Sequence, residues 1–206
     1  MANSRGFSST QFYLTDKVIN DYVDLINERY PHVYVFNTFF YCNLSVRGYD
    51  YVRRWFRKYD LLSKKKLMIP IHIQISSHWV LVCVNFETKE IQYYDSLGGH
   101  NFEAQHIIFN YLNNKYIDQI GSPLCAKDWR LITVENIPHQ ENGYDCGVFV
   151  CTFAEYLARG AVFNFTQKNM KSFRQLIAYE LTVKRLVDVD VDAKDIDSFI
   201  MNVINS

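Results

Sequence analysis

Residues 140–150 read Gln140-Glu141-Asn142-Gly143-Tyr144-Asp145-Cys146-Gly147-Val148-Phe149-Val150, and the apolar run that ends this segment begins shortly after the cysteine. This pattern predicts that Cys146 lies in the first turn of a buried helix. Unpaired N–H groups and the helix dipole favour negative charge at such a point. A cysteine there tends toward the thiolate, which is its nucleophilic form. We therefore expect a nucleophile at the N-terminus of a central helix.

A histidine and an acid upstream complete the set of groups that acyl transfer needs. His78 opens one strand-like run and Asp95 closes the next. If residues 79–86 fold back through a turn at 87–89 onto residues 90–95, the two residue numbers of each cross-strand pair add up to about 175. His78 then lies close to Asp95, which can orient its imidazole. Gln140, Cys146, His78 and Asp95 together suit thiol-based acyl transfer.

The remaining pattern predicts an α+β domain. Helical spacing starts near Thr15, with Thr15 or Asp16 as the cap. Helices are expected on both sides, in sequence, of a mixed, mostly antiparallel sheet, with the helical N-terminal part packed on that sheet. The predicted helices cover 36–46, 49–58, 102–116, 147–158 and 168–186, and the predicted strands cover 67–76, 79–86, 90–95 and 129–137.

The overall charge balance argues against nucleic-acid and membrane partners. Lysine plus arginine number 22 and aspartate plus glutamate number 22, so the formal net charge is zero. Two local runs depart from this balance, a basic one over residues 53–66 and an acidic one over residues 188–206. Each is either a solvated surface or a patch that binds a partner.

Cysteine and acid spacing predict no metal site and no cofactor. The five cysteines include no C-x-x-C pair and no zinc spacing. The segment that starts at Asp188 begins like a calcium loop, but Ala193 and Phe199 stand where such a loop needs glycine and glutamate. Without a signal core or a transmembrane run, a reduced intracellular compartment is expected, nuclear or cytoplasmic; delivery into another cell is left open.

Several segments, in order along the chain, resemble one known family. They are Leu14-Thr15-Asp16-Lys17-Val18-Ile19-Asn20, Phe36-Asn37-Thr38-Phe39-Phe40, Ile69-Pro70-Ile71-His72, His78-Trp79, Tyr93-Tyr94-Asp95-Ser96-Leu97-Gly98-Gly99, the run from Ile137 to Gly147, and Phe165-Thr166-Gln167 with Met170 and Phe173-Arg174. Together they resemble the Ulp/SENP family of ubiquitin-like-protein proteases. The resemblance implies a papain-like cysteine protease fold over residues 13–187. The composition of the segments on either side predicts a flexible arm (1–12) and an acidic, partly helical tail (188–206), which falls outside the resemblance.

The resemblance also implies a role for each catalytic residue. Cys146 would be the nucleophile, His78 the general base and acid, and Asp95 the residue that orients His78. Gln140 would donate a hydrogen bond to the oxyanion.

The same resemblance implies a substrate channel. Trp79 would roof a narrow channel for the Gly-Gly tail of the modifier, and Tyr13, Phe39, His72 and Asp16 would bind the substrate around it. Members of the family usually carry tryptophan where this chain has Tyr13, and the segment between His72 and His78 is longer than in close SUMO proteases.

The predicted function is that of a monomeric cysteine protease or isopeptidase that cleaves after the C-terminal Gly-Gly of a ubiquitin-like modifier. SUMO is the first choice of modifier, and the basic run could meet an acidic modifier surface. Three alternatives remain open: the same chemistry on ubiquitin or the Nedd-type modifier, an acetyltransferase of the same clan, and a non-catalytic module that binds a modifier.

Overall fold

The computed structural model describes residues 13–188 and 195–206. The predicted arm (1–12) lies outside these residues. Short 3₁₀ turns occur at Leu61–Ser63, Gln74–Ser76, Ala126–Asp128 and Gln167–Asn169. The helices and strands, in chain order, are α1 Asp16–Arg29, β1 Val33–Val35, α2 Phe39–Arg47, α3 Tyr49–Val52, β2 Lys66–Ile73, β3 His78–Asn85, β4 Glu90–Tyr94, α4 Phe102–Ile120, β5 Arg130–Thr133, α5 Cys146–Arg159, α6 Met170–Val183 and α7 Ile196–Asn205.

The five strands form one mixed sheet in the order β1-β2-β3-β4-β5. The two longer interior pairings, β2 with β3 and β3 with β4, are antiparallel, and the two outer pairings are parallel. In the β3–β4 hairpin Leu81 pairs with Tyr94 and Asn85 with Glu90, which is the predicted register. The hairpin therefore places the start of β3 next to the end of β4, at the same end of the two strands.

Both faces of the sheet are buried, and β3 shows this most clearly. Leu81 and Cys83 belong to one apolar cluster, whereas Val80, Val82 and Val84 belong to the other. Successive side chains of a strand point to opposite faces, so helices must cover the sheet on both sides. α1, α5, α6 and α7 pack on one face, and α2, α3 and α4 pack on the other.

α5 is the central helix of the first of these two layers. Nearly all of its residues are buried, from Cys146 through Ala158. A helix that is buried on nearly every side must be enclosed by other elements. α5 lies between the sheet, α1 and α6. The predicted α+β, papain-like arrangement with a nucleophile at the start of a central helix is confirmed.

Several predicted elements have different bounds in the structure. The helix predicted over 49–58 is a single turn, Tyr49–Val52, because Phe56 leaves the helical path to pack edge-on against the stacked rings of Phe36 and Phe40. The strand predicted over 67–76 ends at Ile73, because residues 74–76 form a 3₁₀ turn. The other differences are the strand β1, which was not predicted, the later start of α2, the shorter β5 and α6, and a longer α4 that is capped by Gly121 with φ +82°.

The end of the chain packs onto the rest of the molecule. Asp195 caps α7 by accepting hydrogen bonds from Ser198, and Ile196 and Ile200 are buried in the same cluster as α5 and α6. The Asp190 and Asp192 of the calcium-like segment lie outside the described residues. Within the described part of the chain, no helix is long and apolar enough to cross a bilayer, and no group of three or more potential ligands gathers around a metal position.

A buried glutamate makes the stability of this layer sensitive to pH. Glu180 is 1% exposed, and its Oε1 accepts a hydrogen bond of 2.9 Å from the Val187 N–H. Burial raises the pKa of Glu180 from 4.5 to about 8, although hydrogen bonds from Val187 and Tyr22 oppose the shift. Because the folded pKa lies above the unfolded one, the contribution of Glu180 to stability is fully present below about pH 4.5 and is lost as pH rises toward 8.

We expect Glu180→Gln to remove this dependence, since glutamine stays neutral and keeps an oxygen for Val187. The free energy of unfolding of the variant, relative to wild type, should increase from pH 5 to pH 8 by at most about 1.4 kcal/mol per pH unit. Urea denaturation at both pH values measures it, with the exposed Glu28→Gln as the control. An equal difference at the two pH values would contradict the prediction.

Candidate active site

His78 is the first residue of β3, the central strand of the sheet. A 3₁₀ turn at Gln74–Ser76 and the left-handed Ser77 (φ +50°) redirect the chain into the strand. His78 is buried, and its Nε2 lies 2.6 Å from Asp95 Oδ1. Since a carboxylate can only accept, Nε2 carries the proton and donates it.

His78 also hydrogen-bonds with the thiol of Cys146. Because Nε2 faces Asp95, Nδ1 is the ring atom left to face the thiol. Burial alone would lower the pKa of His78, but the hydrogen bonds to Asp95 and Cys146 and their negative charges raise this pKa to about 9. The imidazole is therefore held in its charged form at neutral pH, next to a sulfur that it can stabilise as a thiolate.

Asp95 is fixed by the turn that follows β4. Its Oδ1 accepts a hydrogen bond of 2.8 Å from the Leu97 N–H, and its Oδ2 accepts one of 3.2 Å from the Gly99 N–H. Burial would raise the pKa of Asp95, but the bond to His78 and these two N–H groups hold it below its usual value. Asp95 thus remains ionised beside the imidazole.

Cys146 is the first residue of α5, and its neighbour Gly147 packs against the opposite wall of the site. A Cβ at Gly147 would lie 2.9 Å from the Leu14 Cβ and 3.6 Å from the Trp79 Cδ1. A side chain at this position would push Leu14 away. Glycine therefore lets the start of α5, with Cys146, lie directly against Trp79.

Gln140 is held at the same end of the strands by Ser96. Its backbone N–H donates to the Ser96 carbonyl at 2.8 Å, and its Oε1 accepts from the Ser96 hydroxyl at 2.7 Å. The Gln140 Nε2 donates to the Asn142 carbonyl at 2.7 Å. A primary amide has two N–H bonds, so this contact leaves the second one for another acceptor.

A carboxylate next to the nucleophile organises the loop before α5. Asp145, 5% exposed, accepts hydrogen bonds from the side chains of Asn142, Gln167 and Arg174. The sequence interpretation assigned these residues no function. Gln167 and Arg174 stand more than twenty positions from Asp145, and no local pattern predicts such a contact.

Four of the five predicted substrate-binding residues line one cavity. Tyr13, Asp16, His72 and Trp79 surround about 340 Å³, together with Leu14 and Ser77. The rings of His72 and Trp79 lie 4.6 Å apart. Phe39 does not line this cavity; it lies in the first turn of α2, and the residue is 55% exposed.

The basic run does not form one free patch. Arg53 pairs with Asp50 and Asp118, and Lys65 pairs with Glu87. Lys64 and Lys66 donate to main-chain carbonyls. Four of the basic side chains in this run therefore already have partners within the molecule.

A histidine oriented by a buried aspartate, facing a cysteine at the start of a central helix, defines a papain-like cysteine peptidase. Comparison with known proteins specifies the family further. Residues 13–186 match the Ulp1 protease family, C-terminal catalytic domain. The chain belongs to this family.

Individual relatives agree with this assignment. The chain is 36% identical over 181 residues to a sentrin-specific protease of Caenorhabditis elegans (85% of this chain, 26% of the relative), and 35% identical over 182 residues to human sentrin-specific protease 2 (85% and 31%). The chain spans less than a third of the length of these relatives. The yeast Ulp1 protease domain, solved in complex with Smt3, the yeast ortholog of SUMO, superposes with a TM-score of 0.73 at 33% identity (83% of this chain, 77% of that one).

The contact between Asp95 and Gly99 can be tested directly. A Cβ at Gly99 would lie 2.4 Å from Asp95 Oδ2, so Gly99→Ala must displace the carboxylate that orients His78. We expect kcat to fall by about 100-fold, as for other misplaced catalytic groups, in any assay of Cys146-dependent hydrolysis. Gly143→Ala, where a Cβ meets nothing within 4 Å, is the matched control. Equal kcat values for the two variants would contradict the assigned role of this turn.

Proposed function

We propose that residues 13–187 form the catalytic domain of a cysteine protease or isopeptidase that cleaves after the C-terminal Gly-Gly of SUMO. The observation that carries the proposal is the hydrogen-bonded series Asp95, His78 and Cys146, built where β3 begins and β4 ends. Membership of the Ulp1 protease family supports the chemistry. The names of the relatives and the Ulp1–Smt3 complex support SUMO as the modifier.

The reaction would start with the Cys146 thiolate, which attacks the carbonyl carbon of the terminal glycine. The free N–H of Gln140 and the backbone N–H of Cys146 hold the oxyanion; one such donor is commonly worth about 3 kcal/mol. His78 then gives its proton to the departing lysine amine. In the second half the neutral imidazole takes a proton from water, and the resulting hydroxide hydrolyses the thioester.

The cavity lined by Tyr13, His72 and Trp79 would take the Gly-Gly tail. Trp79 would form its roof, and Tyr13 and His72 its walls, so that a backbone without side chains could pass where a bulkier residue would collide. Asp16, in the first turn of α1, would bind a polar group of the modifier at the mouth of the cavity. Phe39, on α2, would contact the folded body of the modifier rather than its tail.

The cellular location and the roles of the flanking segments are proposed on the basis of this chemistry. A nucleophilic thiol must stay reduced, so we propose an intracellular site of action, nuclear or cytoplasmic. Residues 1–12 would act as a flexible arm and residues 188–206 as an acidic tail. The domain would act as a monomer on SUMO precursors or conjugates, without a cofactor.

The alternatives gain less support. Ubiquitin or the Nedd-type modifier would require only a different fit around Tyr13. An acetyltransferase would use the same three residues, but the cavity under Trp79 suits a peptide backbone. A module that only binds a modifier would have no need for a charged His78 beside a buried thiol.

A panel of modifiers tests the proposal. SUMO, ubiquitin and the Nedd-type modifier, each with a C-terminal fluorogenic group, are incubated with the protein and with Cys146→Ala. We expect release from SUMO only, at least about 100-fold faster than with Cys146→Ala, because the covalent step is lost in that variant. Release from another modifier would keep the mechanism and overturn the choice of SUMO. Release from none, together with acetyl-CoA turnover, would favour the acetyltransferase.

A further inference from the structure

Gln167 contacts both ends of the loop that separates Gln140 from Cys146. Its Oε1 accepts a hydrogen bond of 2.9 Å from the Glu141 N–H, and its Nε2 donates one of 2.9 Å to Asp145 Oδ2. Glu141 directly follows Gln140, and Asp145 directly precedes Cys146. One side chain therefore sets the spacing between the oxyanion donor and the nucleophile.

Gln167 is itself held by a short, capped turn. In the 3₁₀ segment Gln167–Asn169, Thr166 Oγ1 accepts from the Lys168 N–H and Asn169 Oδ1 accepts from the Thr166 N–H, which closes a capping box. The Asn169 Nδ2 donates to Asp197 Oδ1 at 3.2 Å. Asp197 lies in the first turn of α7, so the turn that carries Gln167 is tied to the end of the chain.

α7 is firmly placed against this turn. Ile196 and Ile200 are buried in the same apolar cluster as Met170 and Phe173, which follow the turn in α6. The family match ends at residue 186, so α7 lies beyond it. A helix outside the matched domain therefore contacts the segment that fixes the nucleophile loop.

We propose that Gln167 is a positioning residue for the nucleophile loop and that α7 holds it in place through the contact between Asp197 and Asn169. The inference rests on the proposed function of Cys146. Gln167 touches no reacting atom and acts through Asp145 and Glu141. Its loss would move Cys146 away from His78, but would leave the cavity between Tyr13 and Trp79 unchanged.

Gln167→Glu is the sharpest test, because it cannot donate to Asp145 and places a second carboxylate beside the first. We expect kcat to fall by about 10- to 100-fold, with KM for the modifier substrate unchanged. A second readout does not depend on turnover. Iodoacetamide should alkylate Cys146 at pH 6.5 about tenfold more slowly than in wild type, whereas the exposed Cys125 of the same sample reacts equally, as peptide mass spectrometry would measure.

The part played by α7 is tested in the full chain with Asp197→Ala. It should lower kcat and the alkylation of Cys146 by about three- to tenfold, as expected for one lost hydrogen bond. Met201→Ala, on the more exposed side of the same helix, is the matched control and should behave as wild type. If Asp197→Ala and Met201→Ala match each other in both readouts, α7 does not support the loop.

The outcomes separate this inference from the proposed function. An unchanged ratio of Cys146 to Cys125 alkylation in Gln167→Glu overturns the role of Gln167, even if SUMO is cleaved. If the wild-type protein cleaves no modifier, the proposed function fails, but the alkylation ratio still decides the role of Gln167. Should Gln167→Glu not fold by circular dichroism, Gln167→Leu removes both hydrogen bonds without adding a charge and carries the same expectation.

Discussion

The hydrogen bond from His78 Nε2 to Asp95 is the contact on which the rest of the site depends. It joins the first residue of β3 to the residue after β4, so it forms only in the observed hairpin register. A slip by one residue would turn the side chains to opposite faces. The short turn over residues 86–89, which sets the register of this hairpin, therefore also fixes the catalytic geometry.

The carboxylate and the nucleophile are supported in different ways. Asp95 is satisfied by backbone N–H groups of one tight turn, in which Gly99 leaves room for its oxygen. The position of Cys146 depends in part on distant segments, since the neighbouring Asp145 accepts hydrogen bonds from Gln167 and Arg174 as well as from the nearby Asn142. The first arrangement is local and compact. The second draws the C-terminal third of the chain into the active site.

This difference explains how much could be predicted from the sequence. The hairpin register and the helix that starts at Cys146 follow from strand and helix periodicity. The residues that surround Asp145 do not, because their contacts arise only when α6 packs beside α5. The short strand β1 was missed, since three residues carry little periodicity. The helix at α3 was predicted too long, because the packing of Phe56 overrides local helix propensity.

The role of each active-site residue nevertheless depends on one physical quantity, the charge state of His78. Labelled-histidine NMR titration from pH 5 to pH 10, with the resonance assigned through His78→Gln, measures it directly. Burial opposes the charged form, but Asp95 and Cys146 outweigh it, so the account predicts a pKa of about 9 and a proton on Nε2 throughout. A pKa at or below the ordinary value of 6.5 would contradict the account, because the imidazole would then be mostly neutral at pH 7 and would not supply the positive charge beside Cys146.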